Sequence, residues 1–255
     1  MKLISLVRHG QASFGSKNYD KLSPIGIAQS QCLGDNFRHA NRQVHALMSG
    51  DMQRQKDSLK HFLSHYDVTG DGIEPPNISN PQEKNLANPS AIKSLLLGTD
   101  SRFNEFNHQQ VLFKAGLGFD DKASFIAFLA SQPKPELIFA DKFAQAMHRW
   151  QGGEFDSDYD ESWQGFLQRT WGGFEYLIQQ TGEHEHAMVF TSGGVIASIM
   201  QQVMRLTNVQ TFDLNWHIAN ASVHQFRVSD TGVFLQTFNE FSYLNSKGEQ
   251  MVTWR

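Results

Sequence analysis

Arg8, His9 and Gly10 close a short, mainly apolar run, Leu3-Ile4-Ser5-Leu6-Val7. A guanidinium is a permanently charged, forked donor that suits phosphoryl oxygens. An imidazole changes charge near neutral pH and serves as nucleophile or proton carrier. Two later apolar runs also end in polar, glycine-containing turns. Val44 to Met48 stops at Ser49-Gly50-Asp51, and Arg54 follows at the start of a helical pattern. Ala187 to Phe190 stops at Thr191-Ser192-Gly193-Gly194. There Ser192 offers a hydroxyl donor, and the glycines let backbone amides approach an anion. Arg54 reads either as a phosphate ligand or as a solvated helix arginine.

These side chains need strands to carry them and helices to follow. Residues 2–8 read as a strand, and Ser23-Pro24 as a helix start, with serine at the cap and proline at the first helical position. Residues 44–48 read as a second strand, followed by a helix through Leu59, Phe62 and Leu63. Residues 67–90, with Pro75, Pro76, Pro81 and Pro89, read as loop. Residues 111–160 read as a cap of helices and loops, with helical spacing at Phe125, Phe128 and Leu129 and again at Phe143, Met147 and Trp150. The strongest helix is 161–180, where Trp163, Phe166, Leu167, Trp171, Phe174, Leu177 and Ile178 repeat at three- and four-residue steps. Glu161 reads as a helix-start residue favoured by the dipole. Residues 223–228 and 233–238 read as strands joined by the turn Ser229-Asp230-Thr231-Gly232. Strands alternating with helices predict a three-layer α/β/α sandwich with a mainly parallel central sheet and an inserted cap. The expected organisation is a single domain over 1–255, with the variable loop and cap within 67–160. In such sheets ligands bind at the carboxyl ends of the strands, so the three turns are expected to share one crevice.

Composition narrows the function classes. Of 255 residues, 40% are hydrophobic and 19% charged, which fits a folded globular chain. Lysine and arginine number 22 against 26 acidic side chains, a formal net charge of -4, so no global basic field argues for nucleic acid. Any anion site must be local. The single cysteine, Cys32, excludes an internal disulfide and reads as a buried structural thiol, a usage that suits a reducing compartment. No apolar run approaches membrane-spanning length, and the first run is too short for a separate signal peptide, so the cytoplasm is the expected location. His184-Glu185-His186 reads as a solvated turn before a strand, and no complementary metal-ligand pattern accompanies it.

The strand-to-Arg8-His9-Gly10-Gln11 turn resembles the signature of the histidine phosphatase (phosphoglycerate mutase-like) superfamily. Leu22-Ser23-Pro24-Ile25-Gly26-Ile27-Ala28-Gln29 is similar to its Leu-Thr-x-x-Gly-x-x-Gln segment. Ser49 to Arg54 stands where the family has a second phosphate-binding arginine. Phe103-Asn104-Glu105-Phe106 resembles the block that carries the acid, and Glu161-Ser162 resembles the start of a core helix. The resemblance implies that Arg8 and Arg54 bind and neutralise the phosphoryl oxygens. His9 would attack phosphorus in line, and Glu105 would protonate the leaving alkoxide and then activate water. It implies no metal or other cofactor, and a small phosphorylated molecule as partner. One departure is that the family's second histidine, within Ser-His-Gly-Gly, is replaced here by Ser192. Losing one preorganised donor costs on the order of 10²–10³ in rate, and a hydroxyl should reduce that loss. His108, His217 and His224 are candidate stand-ins. A second departure is Ala12-Ser13-Phe14-Gly15, where Phe14 implies a more apolar mouth.

Three readings follow. The first is a phosphomonoesterase working through a phosphohistidine at His9. The second is a phosphate-ligand binding or regulatory protein without turnover. The third is a sugar-phosphate mutase, which sparse basic residues near the expected mouth disfavour. Substrate and oligomeric state are not fixed by the sequence.

Overall fold

The computed structural model describes residues 1–13, 20–66 and 95–254. The loop expected at 67–90 and Phe14 lie outside these. The elements run β1 (Lys2–Arg8), α1 (Pro24–His39), β2 (Ala46–Ser49), α2 (Gln53–Tyr66), β3 (Leu95–Thr99), α3 (His108–Phe113), α4 (Lys122–Ala130), α5 (Pro135–Gly152), α6 (Trp163–Gln180), β4 (His186–Thr191), α7 (Gly193–Met204), α8 (Asn208–Trp216), β5 (Val223–Ser229), β6 (Gly232–Glu240) and α9 (Ser242–Asn245).

Local chemistry sets the helix ends. Ser23 Oγ accepts the Gly26 amide at 3.1 Å, with Pro24 at the first helical position of α1. Ser162 Oγ accepts the Gly165 amide at 3.0 Å and starts α6. Thr207 and Gln210 form a full capping box that starts α8, a helix absent from the sequence reading.

The strands form one six-stranded sheet in the order β3-β2-β4-β1-β5-β6. β3, β2, β4 and β1 are parallel, and β5 and β6 add an antiparallel hairpin. The mixed, mainly parallel α/β architecture is therefore as expected. β2 begins at Ala46 rather than Val44, and β3 is a strand that the sequence reading lacks.

Side chains alternate across the sheet and feed two cores. Ile4, Leu6, Met48, Ala187 and Val189 pack with Phe166, Phe174 and Leu177 of α6 and with α7. Val7, Leu47, Met188 and Phe190 face the other way, against Leu33 and Phe37 of α1 and Leu59 and Phe62 of α2. Helices thus cover both faces of the sheet, and its central strands β1, β2 and β4 are buried on both sides. Trp150 of α5 joins the first core through Phe106, Trp163 and Phe166, with ring centroids 4.9, 5.1 and 5.8 Å away. Cys32 is half-buried rather than sealed, beside the second core. No helix among the described residues is long and apolar enough to cross a membrane.

Candidate active site

β1, β2 and β4 are adjacent and parallel, so their carboxyl ends bring Arg8, the 49–54 turn and the 191–194 turn to one edge. The expected shared crevice is thereby built by strand order. Gly10 is required by close approach, because a Cβ there would sit 2.3 Å from the Gly26 carbonyl oxygen. That contact locks the first turn onto α1. Gln29 adds to it by accepting the Gln11 amide at 2.8 Å.

His9 is buried, 6% exposed. Its Nδ1 lies 2.7 Å from the Gly10 carbonyl oxygen, which can only accept, so Nδ1 carries the proton. Its Nε2 accepts a hydrogen bond from Arg54 Nε at 3.0 Å, so Nε2 holds a lone pair. Burial, then the charge of Arg54 and then that of Arg8 hold the ring well below the ordinary histidine range. The outcome is a neutral imidazole whose lone-pair nitrogen faces a cation.

Arg54 is 4% exposed, which removes the solvated-helix reading. Its Nη1 donates to Asp20 Oδ1 at 2.7 Å, and Asp20 Oδ2 accepts the Gln53 amide at 2.8 Å. One carboxylate thus caps α2 and fixes the guanidinium that faces His9. Sequence reading missed Asp20, since no local pattern pairs residues 34 positions apart. Arg8 Nη1 donates to the Ile218 carbonyl, and at 3.3 Å to that of Trp254.

Glu105 reaches the same edge through a braced loop. Arg169 Nη1 donates to the carbonyls of Ser101, Arg102 and Asn104, each at 3.0 Å. Glu161 holds Arg169 in turn, at 2.6 and 2.9 Å. Glu161 is therefore a brace for the loop as well as a helix-start residue. The Glu105 carboxylate accepts the Gly194 amide at 3.0 Å and its neighbour Phe106's amide at 3.2 Å. A Cβ at 194 would lie 2.2 Å from Glu105 Oε1, so only glycine admits the carboxylate to the start of α7. A side chain at Gly193 would meet Asn215 Oδ1 at 2.5 Å and Arg8 Nε at 3.6 Å.

Ser192 is fully buried, and its Oγ accepts from Gln55 Nε2 at 2.8 Å. Gln55 Nε2 also donates to the Phe103 carbonyl at 3.0 Å. The hydroxyl thus meets α2, while the glycine that follows meets Arg8. Gln55 is a second residue that sequence reading missed.

The three candidate stand-in histidines separate clearly. His217 ends α8, and its carbonyl accepts from Asn239. His224 is sealed in β5 with both ring nitrogens engaged, at 3.0 Å to Ser222 and 3.2 Å to Asn239. His108 opens α3, packs its ring 4.3 Å from Phe106, and stands within electrostatic reach of Glu105, Arg54 and Arg8. The residue is exposed. Even so, desolvation in the crowded mouth is the first cause that lowers it, followed by the two arginines, with Glu105 pulling upward. His186 binds Ser5 and Gln43 in the sheet, and no group of three potential metal ligands occurs among the described residues.

Comparison with known proteins fits this fold. Residues 134–240 match the family model described as "Histidine phosphatase superfamily (branch 1)". That span includes Ser192 and Gly193 but not His9, Arg54 or Glu105. No curated protein matches the chain. Among solved structures, it is similar to phosphoglycerate mutase from Bacillus anthracis at 13% identity, covering 97% of this chain and 96% of that one, with a TM-score of 0.61. It is similar to alpha-ribazole phosphatase from Shigella flexneri at 13% identity, covering 94% and 96%, with a TM-score of 0.56. A mycobacterial glucosyl-3-phosphoglycerate phosphatase with inorganic phosphate is 16% identical, covering 95% and 99%, with a TM-score of 0.55. These likenesses show that the fold is shared along nearly the whole chain.

Proposed function

We propose that this chain is a phosphomonoesterase that works through a phosphohistidine at His9, on a small phosphorylated molecule. The observation that carries the reading is the His9–Arg54 contact: a buried, neutral imidazole with its Nε2 lone pair 3.0 Å from a guanidinium. The shared fold, with mutases and phosphatases among its solved examples, and the family match over 134–240 support it.

In the first step Nε2 attacks phosphorus, and the bond from phosphorus to the ester oxygen breaks. Glu105, protonated at this stage, gives its proton to the departing alkoxide. The phosphorylated ring is cationic, with Nδ1–H still donating to the Gly10 carbonyl. Arg54 turns its N–H from Nε2 to the phosphoryl oxygens, and Arg8 adds a second charge. Both act before and during transfer, and fixed charge of this kind dominates phosphoryl-transfer catalysis. In the second step the Glu105 carboxylate takes a proton from water, and the water oxygen attacks phosphorus. The P–N bond breaks and neutral His9 is restored. Gly193, against Arg8, completes the phosphate contacts, while the Ser192 hydroxyl is held by Gln55.

The test is turnover of an aryl phosphate and a panel of metabolite phosphates, with His9→Ala as control. Acid-labile label on the wild type, chased into inorganic phosphate, is the expected result. Turnover equal to that of His9→Ala at several pH values would exclude the reading. One observation favours a second reading, a phosphate-ligand binding protein without turnover: the Ser192 hydroxyl is tied to Gln55. Calorimetric binding of phosphate esters with no trapped phosphohistidine would establish it.

A further inference from the structure

The site has two fixed cations and a neutral β4 turn, and one histidine at its mouth remains unexplained. Building on the phosphohistidine reading, we propose that His108 is a second phosphoryl-binding residue, which takes up a proton as a phosphoryl dianion enters. It would supply the charge that Ser192 cannot.

Four observations carry this. His108 begins α3, whose start is fixed by Asn107 Oδ1 accepting the Gln110 amide at 3.1 Å. Its ring rests on Phe106 at 4.3 Å and lies 6.1 Å from Phe143. Phe106 in turn abuts α7, since a Cβ at Gly194 would meet its ring at 2.9 Å. The aromatic seat therefore ties His108 to the helix end that holds Glu105. Third, neither of its ring nitrogens has a hydrogen-bond partner among the described residues, whereas His9, His186 and His224 are each held through both ring nitrogens. Fourth, the charged and titratable groups that face it are those of the site itself: Glu105 from its own loop, Arg54 from α2, and Arg8 and His9 from β1 and its turn.

The sign of the effect follows from these neighbours. With the site empty, two guanidinium groups disfavour a third cation. A bound dianion reverses the local field and favours the imidazolium. The ring can then donate an N–H to a phosphoryl oxygen as a charge-assisted bond. Protonation and ligand binding are thus coupled at this one position.

Sulfate is the probe, because it is a dianion that does not titrate between pH 6 and 8. Sulfate binding to the wild type should tighten by about tenfold from pH 8 to pH 6, and binding to His108→Gln should stay flat. In the wild type, the His108 imidazole resonance should shift toward the protonated form when sulfate is added at pH 7. On an aryl phosphate, His108→Gln should lower kcat/KM by about 10²-fold. Equal pH dependence in the two proteins, an unmoved resonance, or no sulfate binding to the wild type at pH 6 would overturn the proposal. The phosphohistidine reading fails separately, when wild-type turnover matches that of His9→Ala.

Discussion

His224 and His186 lie in the body of the sheet, and each gives both ring nitrogens to a neighbour. His224 Nε2 meets Ser222 Oγ at 3.0 Å, and its Nδ1 accepts the Asn239 amide at 3.2 Å. His186 Nε2 meets Ser5 Oγ at 2.7 Å, and its Nδ1 meets the Gln43 carbonyl at 3.2 Å. At the carboxyl edge the rings are held differently. His9 donates from Nδ1 to the Gly10 carbonyl and accepts at Nε2 from Arg54, a cation rather than a neutral group. His108 is held by ring packing alone. A ring engaged at both nitrogens has one tautomer and one charge. A ring whose second nitrogen meets a cation can attack once that cation turns to a phosphoryl oxygen, and a ring with a free nitrogen can take a proton. Desolvation lowers all four, so low proton affinity does not separate the two groups; the partner at the second nitrogen does.

The most severe way to break this comparison is to remove the nitrogen that faces Arg54. His9→Ala should reduce kcat on an aryl phosphate by about 10⁴-fold or more, as for other covalent nucleophiles. A smaller loss would mean that another group attacks phosphorus. Next is Glu105→Gln, which keeps the shape and the Gly194 amide contact but cannot carry the proton. It should lower kcat by about 10³-fold with alkyl leaving groups. The loss should shrink when the leaving group is a good one, such as nitrophenolate, which departs without a proton. An equal loss with both leaving groups would assign Glu105 a purely structural part.

The histidines within the sheet predict an effect on stability instead. His186 is held down to about 4 and His224 to about 3, against an ordinary 6.5, mainly by desolvation. Below pH 6.5 the unfolded chain binds protons that the folded chain refuses, so stability falls with falling pH. At pH 5 each should cost about 2 kcal/mol relative to pH 8. Urea unfolding of the wild type should show that slope, and His224→Gln should flatten it while lowering stability at pH 8. An unchanged slope in the variant would mean that His224 is not refusing a proton.

What could be read from residues alone followed how local the physics is. The Arg8–Gly10 turn and α6 were legible because an apolar run and a three-to-four repeat are written in consecutive residues. Arg54 and Glu105 were legible through ordered motifs. β3 was not: Leu95 to Thr99 offers only three leucines before Gly98, and its strand character comes from pairing with β2. Asp20, Gln55 and Arg169 were not legible either. Each acts on a partner brought near by strand order, as Gln55 meets Ser192 across 137 residues. The cap of α8 was legible in principle, since Thr207 and Gln210 have capping-box spacing.

The smallest expected effect concerns Ser192, where the histidine comparison becomes a comparison of side-chain direction. Its hydroxyl is sealed, and it accepts from Gln55, which keeps a second acceptor at Phe103. Ser192→Ala therefore removes one hydrogen bond between buried neutral groups, a loss of about 1 kcal/mol in stability. If the hydroxyl mainly serves that bond, kcat should fall by no more than about threefold, far less than the 10²–10³ of a lost transition-state donor. Ser192→His tests the same point from the other side. The ring has no room without displacing the Gln55 amide, and overpacking of this kind costs about 1–3 kcal/mol. Thermal unfolding and steady-state rates of the two variants separate the cases. A hundredfold loss in Ser192→Ala with unchanged Tm would place the hydroxyl on the phosphoryl group and shift the compensating role away from His108.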